Sequence, residues 1–271
     1  MIEWFDSHCH VDEEQFDEDR EAVLARMREH GITRYAVIGS DMATSRQAIA
    51  FAAEHEGAVA AGGIHPHEAK GFREEDLSEI REWYLSGKIR AIGEIGLDFY
   101  YDHSPRDVQR EVCIRQMELA WEIGAPVAYH IRDAHGEMLE IMRSMKGKLT
   151  GGIIHCFSGS AESAKEYLRL GYYISFAGPL TFKKAPRLQE AAGIVPRDRL
   201  LIETDSPYMA PEPVRGRRNE PANVRYVGMK LAEIRGEDPE EVAAYTTENA
   251  IRVYGTGPVS HPHAQPGLSA D

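Results

Sequence analysis

Short apolar runs alternate with longer amphipathic segments along almost the whole chain, and this alternation restricts the fold more than any other feature. Eight runs read as strands: residues 2–6, 34–39, 58–64, 89–94, 126–130, 152–155, 172–176 and 200–204. Between them lie helical segments at residues 17–29, 44–54, 74–85, 106–123, 136–145 and 162–170, with a shorter piece at 187–192. Two further helices, residues 221–234 and 239–254, end the regular pattern. In the first helix Val23, Leu24 and Met27 share one face, as a helix laid against a sheet requires. Strands that each hand over to a helix build parallel βα units. Gly31, Gly57, Gly87, Gly124, Gly147 and Gly171 each follow a helical segment, where a residue free to take positive φ ends the helix. Eight such units predict an α/β fold, a (β/α)8 TIM-type barrel, in one domain over residues 1–255. After Tyr254 the sequence turns to GTGPVSHPHAQPGLSAD, and residues 256–271 read as a disordered tail in which His261 and His263 have no role.

Composition narrows the partners. The formal net charge is −13, so the overall field would not attract a polyanion. A nucleic-acid substrate would have to be held locally, by metal ions and a small basic patch. No apolar run approaches the ~20 residues of a membrane helix, and the N-terminus MIEWFDSHCH lacks the pattern of a secretory signal. Three cysteines, Cys9, Cys113 and Cys156, are too few and too odd in number for a disulfide framework. The expected location is the cytoplasm.

The residues that carry chemistry fall at strand ends. His8 and His10 follow the first strand and share a face, because strand side chains alternate, while Cys9 points away. Two imidazoles on one face can hold one metal ion, although a lone H-x-H is a weak signal. Glu94 ends IRAIGE, and a carboxylate there could bridge two cations, one per oxygen. His130 ends PVAYH and His155 ends GGIIH; a single buried histidine is usually a core residue, but two at equivalent positions on successive strands weigh against that reading. In RLLIETD, Glu203 and Asp205 share a face; Asp205, nearer the mouth, is the candidate ligand or general base, and Glu203 the acid that orients a ligand histidine. These residues end strands one, four, five, six and eight, and in a barrel those ends meet at the face where active sites form. His65 lies in GGIHPHEAK after the third strand and could contact substrate, whereas His67 reads as a surface-loop histidine. Arg132, Lys183, Lys184, Arg215, Arg217 and Arg218 are the basic residues near the mouth; Arg132 and Arg217 are the candidate phosphate contacts.

Together, DSHCHVD, GIHPHEAK, AIGEIGLDFYYDHSPRDVQREVCIRQMELA, VAYHIRDA, GGIIHCFSGS and LLIETDSPYMAP with RGRRNEPANV resemble the TatD-type metal-dependent deoxyribonucleases, which are amidohydrolase-like barrels. The resemblance runs from about Ile2 to Tyr254, with every motif in order. It implies a centre of two divalent ions (Zn, Mn or Mg): His8 and His10 hold one with Asp205, His130 and His155 hold the other, and Glu94 bridges them. It also implies that His65 lies near the substrate phosphate. Related barrels often bridge with a carboxylated lysine; Glu94 here favours the TatD-like branch.

The expected activity is therefore phosphodiester hydrolysis in DNA by water activated between two metals. Asp205, Glu94 and His65 are the expected catalytic residues, and His65, Arg132 and Arg217 bind substrate. Single-stranded DNA or 3′ ends are the expected substrate on the resemblance alone. Two other readings use the same residues. One is an amide or ester hydrolase, including an aminoacyl-tRNA deacylase, which would act on ester substrates without nuclease activity. The other is a non-enzymatic metal-binding scaffold, which metal removal would unfold.

Overall fold

The computed structural model describes residues 2–255; the expected tail lies outside the described residues. The eight expected strands are present as β1 (Trp4–Cys9), β2 (Ile32–Ile38), β3 (Ala58–Gly62), β4 (Ala91–Asp98), β5 (Val127–Arg132), β6 (Gly152–Ile154), β7 (Tyr173–Phe176) and β8 (Leu200–Ile202). Every neighbouring pair is parallel, in the order β1 to β8. A parallel bridge between Cys9 and Ser206 returns the last strand to the first. Backbone bonds from Asp205 N to His8 O (2.9 Å) and His10 N to Ser206 O (2.8 Å) complete that seam. The fold is a (β/α)8 barrel.

The helices are α1 (Arg20–Glu29), α2 (Met42–Glu54), α3 (Glu74–Leu85), α4 (Arg106–Ile123), α5 (His135–Ser144), α6 (Ala161–Arg169), α7 (Pro186–Ile194), α8 (Val224–Arg235) and α9 (Pro239–Tyr254). The last of these seals the end of the barrel opposite the mouth. Its Tyr254 ring stacks on Phe5, and its hydroxyl donates to Ser7 O at 2.8 Å. Ile38, Ala61, Ile153 and Leu201 pack around them, so this end is a filled apolar core rather than a pore. The expected glycine stops hold: all six have positive φ.

The expected strand limits need correction at the mouth. β4 continues four residues past Glu94, to Asp98, and β5 continues past His130 to Arg132. β8 stops at Ile202, short of the expected 204, so Glu203 and Asp205 are reached through irregular backbone. The strands bearing His8 and Glu94 each carry one extra residue relative to their partner, between Asp6 and Cys9 and between Ile92 and Ile95. Such a bulge re-aims the side chains that follow it, a device common beside active sites. Gly96 fits the same crowded region. A Cβ there would stand 2.0 Å from His130 O, so only glycine lets β4 lie this close to the histidine-bearing strand.

Candidate metal centre

The bulge in β1 leaves His8 and His10 together at the mouth, their ring centroids 5.1 Å apart. Cys9 points the other way, as expected, and its thiol donates to Ala36 O. The His10 ring is fixed by Nδ1 against Ile38 O at 2.8 Å, which leaves Nε2 facing Asp205 Oδ1 at 3.5 Å. Asp205 reaches this place because its backbone is left-handed, with φ of 54°. A non-glycine residue in that region carries strain, and such strain concentrates at functional sites.

Glu94 is buried at the centre. Its Oε2 is 3.5 Å from His8 Nε2. Its Oε1 faces a different set: His155 Nε2 at 2.8 Å, His130 Nδ1 at 2.9 Å and His65 Nε2 at 3.6 Å. Behind this shell, His155 Nδ1 is 3.0 Å from Glu203 Oε1, the orienting position expected of that acid. Glu203 Oε1 also accepts the Cys156 N–H at 2.7 Å.

The electrostatics show a cluster that burial opposes and mutual attraction sustains. Burial penalises the Glu94 charge, but His155, His65 and His130 hold its carboxyl well below the usual carboxylate range. Asp205 is lowered by His10, His155 and His8 against the same penalty. His10 is buried too, yet Asp205 raises it to about 10. Burial dominates at His8 and at His65, and both are pushed below the ordinary histidine value. A neutral imidazole keeps a lone pair for a cation.

The donor set fits divalent ions. Three groups could each hold one: His8, His155 and Asp205; His8, His10 and Glu94; and His65, Glu94 and His130. Neither ring nitrogen of His8 has a hydrogen-bond partner. A buried unpaired polar group costs about 1–3 kcal/mol, and an ion at Nε2 would remove that cost. Mixed imidazole and carboxylate donors suit zinc or manganese better than magnesium.

His10, His65, Glu94, His130, His155 and Asp205 line one cavity of about 590 Å³ that also includes His67, Asp98, Tyr101, Arg132 and Tyr208, while His8 is buried behind its surface. A larger cavity, about 710 Å³, opens at the opposite end beside Phe5, Tyr35 and Ala58. Its histidine, His55, is held by Phe51 O, and among the described residues no ion-holding group forms there. Size does not locate the chemistry here; the convergent donors do.

Two residues behave differently from expectation. His67 is no free surface histidine: its Nε2 is 2.9 Å from Asp98 Oδ2 and it lines the cavity. Arg217 is exposed and does not line the cavity, and Arg218 is committed to Asp19 at 2.7 Å. Arg132 does line it. The residue that sequence reading missed is Asp98. Its Oδ2 lies 3.1 Å from His130 Nε2, behind the ring nitrogen that meets Glu94. The signal was present: Glu94 and Asp98 are four apart in one apolar strand, a same-face spacing.

The family model described as TatD related DNase matches residues 5–255. The chain belongs to this family. It is 44% identical over 250 residues to the uncharacterized metal-dependent hydrolase YabD of Bacillus subtilis strain 168, covering 92% of this chain and 98% of that protein. It is 34% identical to the 3'-5' ssDNA/RNA exonuclease TatD of Cronobacter sakazakii, covering 92% and 97%. Among solved structures it is similar to YJJV, a TatD homolog from Escherichia coli K12, with a TM-score of 0.87, 29% identity and coverage of 93% and 98%. As a TatD family protein, the chain is a metal-dependent hydrolase.

Proposed function

We propose that this TatD family member hydrolyses phosphodiester bonds in single-stranded nucleic acid, DNA foremost, from the 3′ end. The observation that carries the reading is the division of Glu94: one carboxylate oxygen faces His8, and the other faces His130, His155 and His65. A carboxylate shared in this way suits two ions. His8 and His10 would hold one with Asp205, and His130 and His155 the other, with Glu94 between them. Bound there, divalent ions lower the pKa of water and offset charge on phosphoryl oxygens. Asp205, more open than Glu94, Asp98 or Glu203, accepts the proton from the attacking water. His65, 3.6 Å from Glu94, and Arg132 hold the phosphate. Glu203 and Asp98 fix the far nitrogens of His155 and His130, so each ring meets its partner in one orientation.

The substrate is supported by the name of the Cronobacter relative, and the candidate cavity of about 590 Å³ gives an unpaired strand end a place to enter. The cytoplasm remains the proposed location; all three cysteines are free, which fits a reducing compartment. The test is cleavage of 5′-labelled and 3′-labelled single strands after chelation and with Mg²⁺, Mn²⁺ or Zn²⁺ restored. Metal-restored shortening from the 3′ end is the expected result. Failure with every metal, together with hydrolysis of a carboxylic ester, would overturn the nuclease reading in favour of a carbonyl hydrolase.

A further inference from the structure

One wall of the mouth is built from groups that neither hold ions nor move protons. Immediately after β4, Tyr100 and Tyr101 stand 59% and 50% exposed. Their rings are 4.8 Å apart and nearly perpendicular, at 87°. The Arg132 guanidinium sits in the corner between them, 4.3 Å from one ring centroid and 4.8 Å from the other. Among the described residues Arg132 has no carboxylate partner, although acids outnumber bases across the chain. The backbone beneath is fixed rather than loose. Asp98 Oδ1 accepts the N–H groups of Tyr100 (3.0 Å) and Tyr101 (2.9 Å), while its Oδ2 faces His130. One carboxylate thus sets the distance between the tyrosine pair and the histidine cluster.

We propose that Tyr100, Tyr101 and Arg132 form a nucleobase platform, which stacks an unpaired base while the adjoining phosphate lies at the cluster. This rests on the nuclease reading and adds to it the element that selects single strands. His103 already lies parallel to the Tyr101 ring at 5.4 Å, so Tyr100 presents the more open face; such a face stacks any base, whatever the sequence, and an arginine held over a ring serves the backbone beside it. Bases inside a duplex are already stacked on one another and cannot reach such a surface. The platform also answers the charge problem: a chain at −13 gains little from long-range attraction, so short-range stacking supplies the hold. Of the three exposed tyrosines among the described residues, Tyr101 and Tyr208 line the cavity and Tyr100 adjoins it against Arg132.

The test uses the metal-loaded protein and single strands with cleavage-resistant phosphorothioate linkages, carrying 2-aminopurine at each of the last three 3′ positions in turn. Stacking quenches this fluorophore. The wild type should quench it at one position or more, and the Y100A/Y101A variant should not. With cleavable strands, the double alanine variant should raise KM by about 10- to 100-fold at nearly unchanged kcat. Y100F/Y101F should keep both behaviours, and a strand with abasic 3′ nucleotides should show no difference between the variants. Quenching and KM that survive in Y100A/Y101A would overturn the platform, as would an equal loss on the abasic strand. A wild type that binds and quenches but cleaves nothing would sink the nuclease reading and leave the platform standing.

Discussion

The two halves of the mouth are built from the same residue types and prepared to different degrees. In the half formed by β1 and the turn after β8, His8 has no hydrogen bond at either ring nitrogen, and His10 and Asp205 face each other at 3.5 Å. In the half formed by β4, β5 and the loop after β3, His130 has a carboxylate at each ring nitrogen: Glu94 at 2.9 Å and Asp98 at 3.1 Å. In the first half the His8 ring is free of hydrogen bonds, and on the proposed reading a cation would satisfy it. The second is oriented in advance by the protein. Glu94 touches both with a different carboxylate oxygen, so its loss should be felt on each side.

Replacing that shared residue should have the largest effect. Glu94→Ala should lower metal-restored hydrolysis of a labelled single strand by about 10³-fold, since several kcal/mol of charge stabilisation depend on the ions it positions. Full activity in this variant would mean that the halves work independently. A smaller and one-sided effect is expected from Asp98→Asn. Calorimetric titration of the metal-free protein should show one binding step weakened about 10- to 100-fold and the other unchanged. Equal weakening of both steps would break the contrast.

Chelation tests the unsatisfied half through stability. A ligand at about a hundredfold excess over its Kd stabilises by about 2.7 kcal/mol. For a domain of this size that corresponds to a fall of about 5–10 °C in Tm when it is stripped. The metal-free protein should still unfold as one folded domain, and His8→Ala should show a smaller rise when metal is restored. A stripped protein without any melting transition would favour a purely structural role for the ions. The smallest pair of effects separates the arginines. Arg132→Ala should raise KM about tenfold, the worth of a charge-assisted hydrogen bond. Arg217→Ala, exposed and away from the cavity, should change it less than about twofold. Reversed magnitudes would move the phosphate contact to the loop after β8.

The chain sequence determined the architecture and singled out most of the candidate site. Alternating apolar and amphipathic runs admitted parallel βα units, and eight of them admitted a barrel, because periodicity of burial is a local property that sequence carries openly. His8, His10, Glu94, His130, His155 and Asp205 were legible because each is a polar residue at the end of an apolar run, and a barrel collects such ends at one face. The tertiary structure decided how they are aimed. The extra residues in β1 and β4 turn His8 and Glu94 into the mouth, and the left-handed backbone at Asp205 carries its carboxylate to His10 after the strand has stopped. It also decided that Asp98 and His67 line the cavity and that Arg217 stays outside it. Those outcomes depend on pairing register between strands and on contacts between distant segments, and no window of sequence contains the partner that sets them.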